Sequence, residues 1–328
     1  GALSVCVLPG GKSCPVQTLD RGTVFRVRLD DGRYETVARG FRTPNGVGLM
    51  PDGSLLVTDN QGDWLPASKL LRVEPGGFYG WRGPAETEAP LPAMQPPIVW
   101  LPQNEVGNSP SEPHVMGSGP YAGQVLFGDV YNGGLKRVSL QEVDGVLQGA
   151  AFHFRGGLRA AVNRILGTPD GDLVVGQVGS TGNWAEVGKP WHGLELLSVG
   201  ERAAFEPESV EVTASGLRVR FTHPLGPGTD ASPVRRVQQF RYVPSPIYGG
   251  PKFDLEELPA AARLLDEHDV VAGYRTHRQD GWWRRWWGRS WSALVNQAVG
   301  LLVRYAFCGF KLVPRSLLAS SDLRSQGA

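Results

Sequence analysis

The sequence has few cysteines and no excess of charge of either sign. Its three cysteines, Cys6, Cys14 and Cys308, lack metal-ligand spacing and the CxxCH pattern that attaches a c-type haem. Whether Cys6 and Cys14 form a disulfide stays an open question, since the loop that it would close is short. With 33 Lys+Arg against 32 Asp+Glu, the formal net charge is +1, which is too small to attract a polyanion. We therefore expect no nucleic-acid partner.

The chain also lacks an initiating methionine, a basic leader and an unbroken apolar run of spanning length. We therefore expect a fragment of a longer protein, whose start does not indicate a compartment. Residues 294–313 are moderately apolar, but polar residues such as Arg304 and Lys311 interrupt them, so no transmembrane span is expected. The tryptophans and arginines at 282–291 suit a membrane interface. The alternative is a non-native terminus, because the β pattern stops abruptly before it.

Glycine and proline are abundant, with 44 and 26 residues, and this favours short strands joined by turns. Residues 45–57 contain two apolar segments around the turn Pro51-Asp52-Gly53, in which proline presets φ and glycine accepts positive φ. The same sequence pattern recurs at residues 163–175 with identical spacing from the Asn through the turn to the Leu. A third unit lies between them at residues 119–129. Units of about four short strands that recur in this way predict propeller blades.

We therefore predict an all-β fold. A partial six-bladed β-propeller occupies residues 1–204, a fragment of a small β-sandwich follows at 205–254, and residues 255–328 form an irregular or helical tail, with a non-native or poorly ordered segment as the alternative. The helical pattern in that tail covers residues 256–268. Ligand sites of propellers lie in the loops between strands, so we expect functional residues there.

The loops around the first repeat carry the most specific motifs. These are residues 40–46, the Pro-Asp-Gly turn, an acidic loop at 58–64 and the triplet Tyr79-Gly80-Trp81. In this order they resemble the glucose/sorbosone dehydrogenase family of quinoprotein six-bladed propellers. They look closest to the sugar-dehydrogenase-like propellers of large secreted bacterial haem-domain proteins. The resemblance continues through residues 100–103, 108–113, 128–138, 163–164 and 182–184, and thus covers about residues 20–200.

The resemblance implies a cofactor, pyrroloquinoline quinone (PQQ), together with Ca²⁺. Guanidinium groups pair with carboxylates, and Ca²⁺ prefers carbonyl and carboxylate oxygens. The residues implied for PQQ are Arg42, Asn45, Trp100, Asn163 and Arg164. The oxygens implied for Ca²⁺ belong to Asp59, Gln61, Gly62 and Asp63. The alternative is structural, because Arg42 and Asn45 suit a turn and residues 59–63 suit a solvated polar loop.

Two departures from the family pattern bear on catalysis. The family's acidic loop continues into an Asp-Glu pair, where this chain has Pro66-Ala67-Ser68-Lys69. The family's general base is a histidine from an earlier blade, and oxidation of a sugar hydroxyl needs such a base within hydrogen-bond reach. His114 is the weak candidate here, and an exposed loop histidine is its alternative interpretation.

Three functions follow as hypotheses. The first is a quinoprotein-type sugar or polyol dehydrogenase, with electrons passing to a c-type cytochrome or haem domain and a periplasmic or extracellular location. The second is a non-catalytic propeller that binds carbohydrate or protein within a secreted multidomain protein. The third is a Ca²⁺-dependent lactonase, in which Asp59, Asn108 and Asp129 would converge on one ion and activate water.

Overall fold

The computed structural model describes residues 1–8, 11–15, 17–18, 20–83, 92–179, 184–200, 202–213, 216–224, 238–257, 271–272 and 311–312. The chain divides into two compact units. The first comprises residues 1–212, 218–224 and 242–251, and the second comprises residues 213–217, 225–241 and 252–328. Every regular element in the described residues is a strand, which confirms the all-β class. The boundaries at 204 and 254 remain predictions.

In the first unit, a three-stranded sheet precedes two four-stranded sheets and one further three-stranded sheet. The first sheet contains β1 (Ala2–Leu3), β2 (Thr23–Val27) and β3 (Tyr34–Arg39). Blade A contains β4 (Pro44–Leu49), β5 (Leu55–Asp59), β6 (Ser68–Val73) and β7 (Val99–Leu101). Blade B contains β8 (His114–Val115), β9 (Val125–Gly128), β10 (Leu135–Val143) and β11 (Val146–Arg155). Blade C contains β12 (Ala161–Gly167), β13 (Leu173–Val178) and β14 (His192–Leu197).

The remaining strands form two-stranded sheets. They are β15 (Pro207–Thr213) with β16 (Gly216–Phe221), β17 (Gln238–Arg241) with β18 (Phe253–Glu257), and β19 (Val271–Ala272) with β20 (Lys311–Leu312). The helix predicted over 256–268 is wrong at its start, because Glu256 and Glu257 pair with Gln239 and Gln238 in β17. Residues 258–268 lie outside the described residues. No helix in the described part of the chain is long and apolar enough to cross a membrane.

Each blade is an antiparallel meander whose neighbouring strands follow one another in sequence. Apolar side chains fill the space between successive sheets. Val24 and Phe41 of the first sheet region pack with Val57 and Leu71 of blade A, and similar clusters join blade A to blade B and blade B to blade C. Stacking of meander sheets through such inter-blade cores is the propeller arrangement. The described residues thus support the predicted propeller-like fold.

The strand registers place all the connections of interest at one end of the blades. In blade A, Pro44 pairs with Asp59 and Ser68 pairs with Leu101, so the loops before β4, after β5 and after β7 meet there. Pro110 and Asp129 form the corresponding bridge in blade B. We call this the loop end. The Pro-Asp-Gly turns lie at the opposite end, and Gly53 and Gly171 adopt the predicted positive φ of 83° and 89°.

Cys6 and Cys14 form a disulfide with a Cα–Cα distance of 5.4 Å. The bridge closes a short loop whose Gly11 carbonyl reaches the loop end of blade A, where it accepts a hydrogen bond from Arg42. The bridge that the spacing left open is therefore formed, and it anchors the segment that covers the first predicted site.

Candidate functional site

The predicted calcium loop after β5 forms a closed network around Arg42. The Arg42 side chain is 3% exposed. Its Nε donates to Asp63 Oδ1 at 3.1 Å, and its Nη1 donates to the Gln61 carbonyl at 3.0 Å. Gly62 leaves room for this arrangement, because a Cβ at that position would lie 1.9 Å from Arg42 Nε. The guanidinium thus holds the loop in place from within.

The acidic residues of the same loop already accept hydrogen bonds from the protein. Asp59 is fully buried and accepts from the backbone N–H groups of Arg42 and Thr43 at 2.8–3.2 Å. Asp63 accepts from Ser13 Oγ at 2.7 Å and from Trp81 Nε1 at 3.3 Å, besides Arg42. Each carboxylate therefore stabilises a protein contact.

Burial also shapes the electrostatics of this region. Burial raises the pKa of Asp59, and the positive charge of Lys69 opposes that rise. Lys69 faces Asp59 across β5 and β6, and burial lowers its pKa to about 8 despite the attraction of Asp59. Its Nζ donates to the Tyr79 carbonyl and lies 5.6 Å from the centre of the Trp100 ring.

The oxygens implied for Ca²⁺ do not form an open coordination shell. The Gln61 carbonyl accepts from Arg42 and the Gly62 carbonyl accepts from Gly249 N–H at 2.9 Å, so all four predicted ligands have donors of their own. Among the described residues, no three His, Cys, Asp or Glu side chains are grouped as a metal site would require. As arranged here, these residues do not fit a calcium ion, which needs free oxygen ligands.

The lactonase hypothesis meets the same difficulty. Asp129 is fully buried at the end of β9, the position in blade B that Asp59 holds in blade A. It accepts from the backbone N–H groups of Asn108, Ser109, Tyr131 and Asn132 at 2.8–3.2 Å. The two aspartates therefore each fix the loops of their own blade, and the contacts give no sign that they share an ion.

Three of the residues implied for PQQ do come together. Asn45 and Asn163 stand at the point where the registers of β4 and β12 shift, which makes each the extra residue of a bulge. Asn45 Nδ2 donates to Asn163 Oδ1 at 3.1 Å. Arg164 Nη1 donates to the Asn45 carbonyl at 3.0 Å and to Asn163 Oδ1 at 3.0 Å. The bulges thus direct side chains of two blades toward each other.

Blade B adds Glu112 to this group. Glu112 Oε2 accepts from Ile165 N–H at 3.2 Å, and a Cβ at Gly46 would lie 2.2 Å from the Glu112 Cα, so the chain around Glu112 passes close to both β4 and β12. We call Asn45, Glu112, Asn163 and Arg164 the first-strand cluster. Glu112 lies in the sequence motif at residues 108–113 but was assigned no role there, although an acidic residue within that motif was a usable signal.

Arg164 differs from Arg42 in what its guanidinium can still bind. Its side chain is exposed, and among the described residues only Nη1 has hydrogen-bond partners. Nε and Nη2 therefore remain available as a pair of parallel donors, which is the geometry that matches a carboxylate. These two donors of Arg164 fit a carboxylate, such as those of PQQ.

The two other predicted residues, Trp100 and His114, form no hydrogen bond with this cluster among the described residues. Trp100 packs against Tyr242, with ring centres 5.3 Å apart. His114 begins β8, two residues after Glu112, with its ring against Gly167. Burial lowers the pKa of His114, and the charge of Glu112 opposes that shift. Burial thus favours the neutral form of the ring, and Glu112 of the first-strand cluster acts on it electrostatically.

Comparison with known proteins gives partial similarities only. No family model and no curated protein matches the chain. Among solved structures it is similar to a Thermus thermophilus oxidoreductase described as a glucose dehydrogenase, with 21% identity, a TM-score of 0.39, and coverage of 52% of this chain and 48% of that one. It is also similar to the PQQ-bound form of an aldose sugar dehydrogenase from Streptomyces coelicolor, with 20% identity, a TM-score of 0.41, and coverage of 54% and 52%.

A third structure, described as glucose dehydrogenase, shares 19% identity with a TM-score of 0.41 and coverage of 55% and 56%. All three carry sugar-dehydrogenase descriptions. The chain spans about half the length of each. Residues 182–183 of the motif before Trp184 lie outside the described residues.

Proposed function

We propose that this chain is the cofactor-holding part of a sugar- or polyol-oxidising propeller, and that the first-strand cluster binds a carboxylate of PQQ. The observation that carries the proposal is Arg164, whose Nε and Nη2 are available beside the paired amides of Asn45 and Asn163. When bound, PQQ supplies a two-electron acceptor for the oxidation of an alcohol. Arg164 orients the ligand, and the two asparagines hold Arg164 Nη1 in place.

The surroundings of the cluster limit what the chain's own residues contribute to oxidation. Calcium is given no part, because the predicted ligands do not fit it. Burial lowers the pKa of His114, which favours its neutral form, and the charge of Glu112 opposes that shift; we assign it no fixed role in the oxidation. Electron transfer to a c-type cytochrome or haem domain and a periplasmic or extracellular location belong to the same proposal. The Cys6–Cys14 disulfide supports an oxidising compartment.

The proposal is tested by titrating the full chain with PQQ and following tryptophan fluorescence. We expect saturable binding, and Arg164→Met should weaken it about tenfold or more because a bidentate charged contact is lost. Arg26→Met is the matched control, since Arg26 is an exposed strand arginine in a surface ion pair with Glu35. Absence of PQQ binding to the unmodified chain, or equal losses in the two variants, would refute the proposal.

A second function, a non-catalytic binding propeller, is favoured by one observation. The segment that replaces the family's Asp-Glu pair is buried and structural. Ser68 Oγ donates to the Asn108 carbonyl at 3.0 Å, and Lys69 is 0% exposed. PQQ binding without reduction of a dye by any member of a sugar panel would support this second function over oxidation.

A further inference from the structure

A cleft of about 470 Å³ opens at the loop end of blade B, and no residue of the first-strand cluster lines it. Its walls come from the loop after β7, the loop between β9 and β10 with the start of β10, the end of β11, and Glu186 in the loop between β13 and β14. Its volume is within the range of small-molecule sites. None of the residues implied for PQQ or Ca²⁺ lines it.

Lys136 is a buried charged side chain among the residues that line the cleft. It is only 4% exposed, and its Nζ donates one hydrogen bond, to the Gly133 carbonyl at 2.8 Å. Two further N–H donors of the ammonium have no acceptor among the described residues. Burial lowers the pKa of Lys136, while Asp129 and Glu186 oppose the shift. A buried ammonium with only one acceptor is costly unless a ligand or water completes it.

Glu186, in the loop between β13 and β14, supplies acceptors to the cleft. Its carboxylate has no hydrogen-bond partner in the described part of the chain, and it lies so close to Gly133 that a Cβ there would be 1.9 Å from Oε2. Gly133, with φ of 73°, thus allows the carboxylate to reach the cleft beside Lys136. The cleft therefore offers an acceptor and a donor side by side.

Two asparagine side chains add further hydrogen-bond donors and acceptors to the cleft. Asn104 and Asn132 both line the cleft, and neither side-chain amide has a partner among the described residues. His153 is already engaged, because its Nε2 lies 2.8 Å from the Glu105 carbonyl. Glu105 and Arg155 add one further charge of each sign. Donors and acceptors therefore surround the cleft with no net preference for either sign.

This mixture selects the chemical class of the ligand. A phosphate or other anion would face Glu105 and Glu186, and a cation would face Lys136 and Arg155. A hydroxyl group both donates and accepts, so several hydroxyls on one small neutral molecule can satisfy Lys136, Glu186 and the two amides together. We propose that this cleft binds a neutral polyhydroxylated small molecule, as a site separate from the first-strand cluster.

The test is calorimetric titration of the full chain, without PQQ, with glucose and maltose, and with inorganic phosphate as the anionic probe. We expect a sugar to bind with a Kd of about 1 mM and phosphate not to bind. Glu186→Gln and Lys136→Met should each weaken sugar binding at least about fivefold. Lys136→Met keeps the volume and removes a buried charge, so folding should persist, and circular dichroism checks it.

Matched controls use the same substitutions elsewhere. Glu35→Gln on β3 and Lys12→Met near the disulfide change exposed residues and should leave the sugar Kd unchanged. Absence of sugar binding, binding of phosphate in its place, or unaltered sugar affinity in both cleft variants would overturn the proposal. Because no quinone is present, its outcome does not depend on whether the first-strand cluster binds PQQ.

Discussion

Two arginines at the loop end of the blades show how differently similar motifs are used. Arg42 in blade A is buried, and its donors reach Asp63, Gln61, Thr43 and the Gly11 carbonyl. Arg164 in blade C is exposed and uses Nη1 alone. The first arginine therefore serves the fold and the second is open to a ligand. Only the contacts distinguish them, since each lies within three residues of an Asn in its motif, Asn45 and Asn163 respectively.

Replacing each arginine by methionine should change the stability of the chain by very different amounts. Arg42→Met should lower the free energy of unfolding by about 3 kcal/mol, because it leaves Asp63 and the Gln61 carbonyl without their buried donor. Arg164→Met should change it by less than about 0.5 kcal/mol, because that side chain is exposed. Urea unfolding followed by tryptophan fluorescence measures both. Equal effects would mean that the two arginines play the same role.

A glycine substitution tests the same cluster without changing its charges. Gly62→Ala places a methyl group where Arg42 Nε now lies, and overpacking of this kind should cost about 2 kcal/mol of stability. Gly117→Ala is the control, since a Cβ there meets nothing within 4 Å. If Gly62→Ala unfolds at the same urea concentration as the unmodified chain, the closed packing around Arg42 is disproved.

The open cluster should show a weaker coupling. Asn45 and Asn163 share one side-chain hydrogen bond of 3.1 Å, so a double-mutant cycle with alanine at both positions should give a coupling free energy of about 1 kcal/mol. The pair Asn45 and Asn132 serves as the additive control. Strict additivity for Asn45 and Asn163 would show that the bulges do not meet in solution.

Sequence patterns predicted the blades well because turns and alternation are local. The Pro-Asp-Gly turns and the strands flanking them follow from φ preferences that each residue carries by itself. The roles of Asp59 and Asp129 did not follow in this way. A carboxylate after a strand has the same sequence signature whether it binds an ion or backbone N–H groups, and only the path of the loop before β4 or β8 decides. Similarly, Glu256 and Glu257 fit a helical pattern but pair with β17, since tertiary pairing overrides local propensity.

Calcium should have almost no effect on the thermal stability of the chain, because the loop after β5 is closed around Arg42. Millimolar Ca²⁺ should leave the Tm of the full chain unchanged to within about 1 °C relative to EDTA, with Mg²⁺ as the ionic control. The physical reason is that an ion at the loop after β5 would have to displace Arg42 from Asp63 and Gln61, and the backbone donors from Asp59. An ion that binds only the folded state at 100 times its Kd would add about 2.7 kcal/mol of stability, which raises the Tm measurably. Such a rise, if Asp63→Asn abolished it, would show that the loop opens to coordinate the metal and that Arg42 is displaced in the process.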